Sequence, residues 1–159
     1  MLSQKTRYSI RALQHLADCA GSGPVPLADI ADTQRIPRKF LTVLLSEMGR
    51  EGLVSAQRGR DGGYWLAKAP EDISYGDIVR LTRGSLALVP CASRMAYESC
   101  TNCVDEEGCR LRRIMLTVRD ATADILDGVS LADAPLQTLQ EGADDRSPAA
   151  RLRMVLPSR

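Results

Sequence analysis

Aromatic residues are scarce, only 4% of a 159-residue chain that holds one Phe, one Trp and four Tyr. Proteins that grip single-stranded nucleic acid by stacking need several exposed rings, so that class is disfavoured. Histidine is scarcer still: His15 stands alone, in the first helical segment and far from the main group of cysteines. With no Ser/His/Asp set and no glycine-rich loop opening a helix, an enzyme is not expected. No stretch approaches the roughly 18 apolar residues of a membrane span. The opening Met1-Leu2-Ser3-Gln4-Lys5 lacks a secretory profile, so a cytoplasmic protein without a membrane partner is expected.

What is present is an ordinary globular balance, 44% hydrophobic and 26% charged, the size of one domain with a short appendage. The net charge of +1 hides an asymmetry. Residues 1–68 carry ten Lys/Arg against six Asp/Glu, and residues 69–159 carry eleven against fourteen. The front half is therefore the candidate for binding a polyanion.

Apolar residues at three- and four-residue spacing predict a first helix from the cap candidate Ser3 to the stop Gly21, with Ile10, Leu13, Leu16 and Ala17 on one side. After the Gly21–Pro26 turn, Leu27, Ile30 and Ala31 predict a short second helix ending near Gln34 and Arg35. A third starts at Pro37, with Phe40, Leu41, Leu44, Leu45 and Met48 as its buried stripe and Gly52 as its end. Two short helices packed on a longer one make a helix-turn-helix. Leu53–Gln57 and Tyr64–Ala67, joined by Arg58–Gly63, predict a hairpin wing. A fourth helix is expected from Ser74 to Arg83. Residues 110–127 predict a long helix whose single apolar stripe (Leu111, Ile114, Met115, Val118, Ala121, Ile125, Leu126) calls for a second copy of the chain. Ser130–Asp133 would add one more turn. The expected architecture is mainly α: a winged helix-turn-helix over 1–83, a cysteine-rich loop over 84–109, a dimerisation helix over 110–134, and a disordered tail over 135–159.

A winged helix-turn-helix lays its second short helix in the major groove of double-stranded DNA. Arg38, Lys39 and Thr42 lie off the apolar stripe and suit base or phosphate contact. At the wing tip Arg58 and Arg60 supply charge, while Gly59 and Gly62 permit close approach to a sugar-phosphate chain. Arg7 and Arg11, and His15 likewise, read as surface or structural residues of the first helix.

Cys91, Cys100, Cys103 and Cys109 follow a C-x8-C-x2-C-x5-C pattern. Four thiolates so close repel one another unless a cation takes up their charge, which points to an iron-sulfur cluster, with zinc or free reduced thiols as alternatives. Only one C-x2-C pair exists, which suits zinc less well. Cys19 reads as a core residue of the first helix.

Together these features resemble the winged-helix regulators typified by the iron-sulfur cluster regulator IscR, the nitric-oxide sensor NsrR and the iron regulator RirA. The resemblance covers about residues 1–134. It rests on Tyr8, on Pro26-Leu27-Ala28-Asp29-Ile30-Ala31, on the Arg58-Gly59 to Gly62-Gly63-Tyr64 wing, and on cysteines ahead of a helix ending in Gly128-Val129-Ser130-Leu131. It implies a homodimeric transcription factor on a pseudo-palindromic operator, with a bound cluster setting its affinity. Cys91, Cys103 and Cys109 match the family's three cluster cysteines, Arg58 its wing arginine, and Lys39 and Thr42 its DNA-facing positions. The family's fourth ligands, a histidine or a partner's acidic residue, fall at Arg112 and Arg7 here, so neither carries over. Cys100 is the candidate for that place. The resemblance also includes members that regulate cysteine metabolism without a cluster. A zinc-stabilised winged-helix module that binds protein is the reading from a different class.

Overall fold

Ser3 caps the first helix, α1 (Gln4–Asp18), with its hydroxyl accepting from the Thr6 amide at 3.1 Å, the bond that satisfies one of the free N–H groups of a helix start. In the computed structural model, which describes residues 2–133, α1 ends at Cys19 rather than at Gly21. Gly21, at φ +83°, belongs to the turn beyond. The tail predicted over 135–159 lies outside the described residues.

α2 (Leu27–Gln34) and α3 (Arg38–Arg50) follow, and the chain reverses between them through Arg35 in the left-handed region at φ 50°. Leu13 and Leu16 of α1, Ile30 of α2, and Leu41, Leu44, Leu45 and Met48 of α3 form one buried core. Phe40 departs from the predicted stripe, since it is 39% exposed. Its neighbours Leu41, Leu44 and Leu45 already fill the inward face, and Phe40 instead meets the edge of the Tyr8 ring at 5.7 Å between centroids.

The wing is the antiparallel pair β1 (Val54–Gln57) and β2 (Gly63–Leu66), in register Val54↔Leu66. Sequence reasoning missed a third participant, Val25, which exchanges both backbone hydrogen bonds with Tyr64 at 2.9 Å. This is why position 63 is glycine: a Cβ there would stand 2.5 Å from the Val25 carbonyl oxygen. α4 (Tyr75–Arg83) opens with a reciprocal cap, the Ser74 hydroxyl accepting from the Asp77 amide and the Asp77 carboxylate accepting from the Ser74 amide, both at 3.1 Å.

The chain divides into two compact units. The first runs to Arg83 and is joined by Ser130–Ala132. Ser130–Asp133 is not the extra helical turn the sequence predicts. Ser130 bridges Ser74, the Leu131 amide donates to the Ile73 carbonyl at 2.9 Å, and Leu131, 2% exposed, enters the first unit's core. Burying that leucine outweighs the single intrahelical bond a short turn would form.

The second unit holds Gly84–Val129. Its loop contains one 3-10 turn, Pro90–Ala92, and leads into α5 (Arg110–Asp127). No residue of α5 is buried, and Leu111, Ile114 and Ile125 are exposed. Among the described residues no helix is long and apolar enough to cross a membrane.

Candidate functional site

Two groups of residues carry the candidate chemistry, one in each unit. In the first unit, Lys39, Thr42 and Val43 occupy the exposed side of α3 at helical spacing. Lys39 is exposed and makes no ion pair among the described residues. The Thr42 hydroxyl donates back to the Arg38 carbonyl at 2.9 Å, which leaves its methyl and lone pairs outward. Arg38 is not free in the same sense: its guanidinium lies 3.0 Å from the Asp32 carboxylate. Val43, 55% exposed, was missed by sequence reasoning. An unpaired apolar side chain on an otherwise polar helix face was the available signal, suited to contact with a thymine methyl.

At the wing tip Arg58, Gly59 and Arg60 are exposed and Gly62 half-buried. Gly59 sits at φ +117°, a conformation that L side chains rarely adopt. Arg58 and Arg60 make no ion pair among the described residues, so neither guanidinium at the tip is tied to a carboxylate. Arg11, by contrast, is not merely solvated: it donates to both the side-chain and the backbone oxygen of Gln34, tying α1 to the end of α2.

In the second unit the structure brings Cys91 and Cys100 together, with the Cys100 thiol donating to the Cys91 sulfur at 3.9 Å. Cys91 is buried at the Pro90–Ala92 turn and Cys100 is exposed. That hydrogen bond, then the charge of Cys91, pushes the Cys100 thiol above the ordinary cysteine range, and Cys103 and Cys109 add smaller repulsions. Cys103 is exposed and is held by its amide to the Cys100 carbonyl at 3.1 Å. Cys109 caps α5, its sulfur accepting from the Arg112 amide at 3.4 Å.

Two arginines of α5 fasten the start of this loop. Arg112 Nε donates to the Cys91 carbonyl at 3.1 Å and Arg119 Nη1 to the Ala92 carbonyl at 2.6 Å. Tyr97 closes the other side by donating to Glu106 at 2.6 Å, and this bond raises its hydroxyl above the usual tyrosine pKa. Glu106 also pairs with Arg112 at 3.2 Å.

Among the described residues no three Cys, His, Asp or Glu side chains stand together closely enough to hold one ion. The donors nonetheless suit a soft metal. They are thiols only, and two sulfurs on one tetrahedral ion with bonds of about 2.3 Å would lie about 3.8 Å apart, close to the Cys91–Cys100 separation of 3.9 Å. The donor set is therefore chemically compatible with a cluster or zinc.

A protein-family model described as "Rrf2: Iron-dependent Transcriptional regulator" matches residues 2–134. Over 136 residues the chain is 38% identical to an rrf2-like HTH-type transcriptional regulator of Rhodobacter capsulatus, covering 84% of this chain and 91% of that one. It is 30% identical over 145 residues to the HTH-type transcriptional regulator IscR of Aliivibrio salmonicida, covering 91% and 83%. Among solved structures, CymR, the global cysteine regulator of B. subtilis, superposes with a TM-score of 0.69 at 32% identity, covering 84% of this chain and 94% of the other.

Proposed function

Because the chain belongs to the Rrf2 family of transcriptional regulators, we propose that it binds a pseudo-palindromic operator as a homodimer and that an iron-sulfur cluster held by Cys91, Cys100, Cys103 and Cys109 sets its affinity. The observation that carries the cluster half is the Cys91–Cys100 sulfur pair, backed by the neighbouring Cys103 turn and by Cys109 at the start of α5. When bound, such a cluster supplies a charge-neutralising crosslink that oxidation or nitric oxide can dismantle.

The residues of this chain carry that state outward. Arg112 and Arg119 grip the carbonyls of Cys91 and Ala92, Arg94 pairs with Asp120 at 3.1 Å, and Glu106 pairs with Arg112, so an ordered loop is held on α5 at several points. The exposed Leu111, Ile114 and Ile125 of α5 form the surface that a second copy would cover. On the DNA side, Lys39 and Thr42 read the groove and the wing's Arg58, Gly59, Arg60 and Gly62 grip the backbone, with Arg38 in a secondary place because Asp32 holds it.

A second reading, a cluster-free regulator that answers to thiol chemistry, is favoured by the lack of any three converging ligands among the described residues and by the likeness to CymR. One experiment separates them. Protein purified without oxygen is assayed for absorption, iron, sulfide and zinc, and for binding to a duplex selected from random DNA, before and after air. Matched iron and sulfide, lost in Cys103→Ala together with a change in DNA affinity, are expected. Stoichiometric zinc or metal-free protein overturns the cluster reading, and metal-free protein whose DNA affinity still changes in air supports the thiol reading.

A further inference from the structure

Cys19 is not the core residue its sequence neighbours suggest; it is half-buried and lines a cavity of about 460 Å³ in the first unit. Pro24, Val25, Gln57, Trp65 and Lys68 share the lining. The volume lies in the range of small-molecule sites, and the walls are mostly apolar with the Trp65 indole among them.

The cysteine is not alone there. His15 Nε2 lies 4.0 Å from its sulfur, and on the other side of the ring Gln34 Nε2 lies 3.4 Å from His15 Nδ1. Arg11 Nε donates to Gln34 Oε1 at 3.4 Å, and this fixes the amide with its NH₂ toward the imidazole. Nδ1 must then accept, so a neutral His15 carries its proton on Nε2 and aims that N–H at the Cys19 sulfur. Cys19 also caps the C-terminus of α1, and this N–H is the side-chain donor that faces its sulfur.

We infer that Cys19 is a modification site for small conjugated-carbonyl electrophiles, which enter the cavity beside Trp65 and are captured by its sulfur. The sulfur lone pair forms a C–S bond at the carbon conjugated to the carbonyl, and the C=C π pair shifts to the carbonyl oxygen as an enolate. The proton lost by the thiol returns to the α-carbon, so thiol and electrophile give one thioether with no other reactant. His15 and Gln34 are positioning residues. The adduct has a route to the wing, because Val25 lines the cavity and is hydrogen-bonded to Tyr64 of β2 on both sides. Its effect on operator affinity rests on the DNA-binding reading; the adduct itself does not.

The test uses the full chain with N-phenylmaleimide and N-ethylmaleimide, each rate divided by that of free glutathione. Trypsin releases Cys19 on peptide 12–35 and Cys91 on peptide 84–94, so mass spectrometry follows each cysteine separately. Cys19 is expected to prefer the aryl probe, a preference that Cys91 lacks and that Trp65→Ala removes. His15→Ala and Gln34→Ala are expected to slow Cys19 about tenfold, because the sulfur then loses the N–H aimed at it or the amide that orients it. Gln34→Ala should keep the aryl preference, which a collapsed cavity would not. If His15→Ala fails to fold by circular dichroism, Gln34→Ala answers alone. Unchanged rates in Gln34→Ala, or no aryl preference at Cys19, overturn the inference. The labelled and unlabelled proteins are then compared on the selected duplex. Equal binding removes the link to the wing, while an unlabelled protein that binds no duplex sinks the DNA reading and leaves the adduct result standing.

Discussion

Arg112 Nε donates to the carbonyl oxygen of Cys91 at 3.1 Å, tying the first cysteine of the loop to the helix that begins after the last one. Its second partner, Glu106, lies 3.2 Å away. Arg112→Ala removes a charged hydrogen bond from a partly buried carbonyl, and in metal-free protein Cys91 should be alkylated about tenfold faster. Rates on peptide 84–94 that match the parent would show that the turn is held without Arg112, by Arg119 and the Arg94–Asp120 pair.

Cys100 is the thiol that the resemblance leaves without a role, and its sulfur touches Cys91. Cys100→Ser should lose iron and sulfide as completely as Cys103→Ser does. Full retention of both in the Cys100 variant would assign the site to three cysteines of this chain and a ligand of another kind.

Leu131 stands far along the chain from Ile73 yet is buried with it. Leu131→Ala should destabilise the first unit by about 3 kcal/mol, the middle of the range for a buried leucine. Urea unfolding followed by the fluorescence of Trp65, which lies in that unit, reads the change; a midpoint unmoved from the parent's would contradict the packing.

The exposed apolar positions of α5 predict a change of assembly. Ile114→Glu and Ile125→Glu together should turn a dimer into a monomer in sedimentation velocity with secondary structure intact. A double variant that sediments like the parent would place the interface elsewhere.

The salt dependence of DNA binding should separate the arginines. Each phosphate contact contributes about 0.9 to the slope of log affinity against log salt. Arg58→Ala should therefore lower the slope by about that amount and Arg38→Ala by less, because Asp32 already neutralises Arg38. Equal losses would mean that the Arg38–Asp32 pair breaks on the DNA.

Much of the fold was legible in the sequence, for a local reason. Helix positions follow from apolar spacing and caps, and α5 begins and ends where the pattern of Leu111, Ile114, Val118 and Ile125 says, bounded by Cys109 and Gly128. The wing was legible from its glycines. Phe40 was not, because spacing marks an apolar face without saying which of its members the neighbouring helices have room to cover.

By itself, then, the sequence determined the helix-turn-helix, the hairpin, the long apolar-striped helix and the thiol pattern, all set by interactions within a few residues along the chain. The tertiary structure alone decided what depends on distant partners. It sent Leu131 back to Ile73, set Val25 beside Tyr64, committed Arg38 to Asp32, joined Cys91 to Cys100, and brought Gln34, held by Arg11, against the His15 ring. The approach of His15 to Cys19 is itself local, four residues apart along α1, but the amide that orients the imidazole comes within reach only through the packing of α2 on α1.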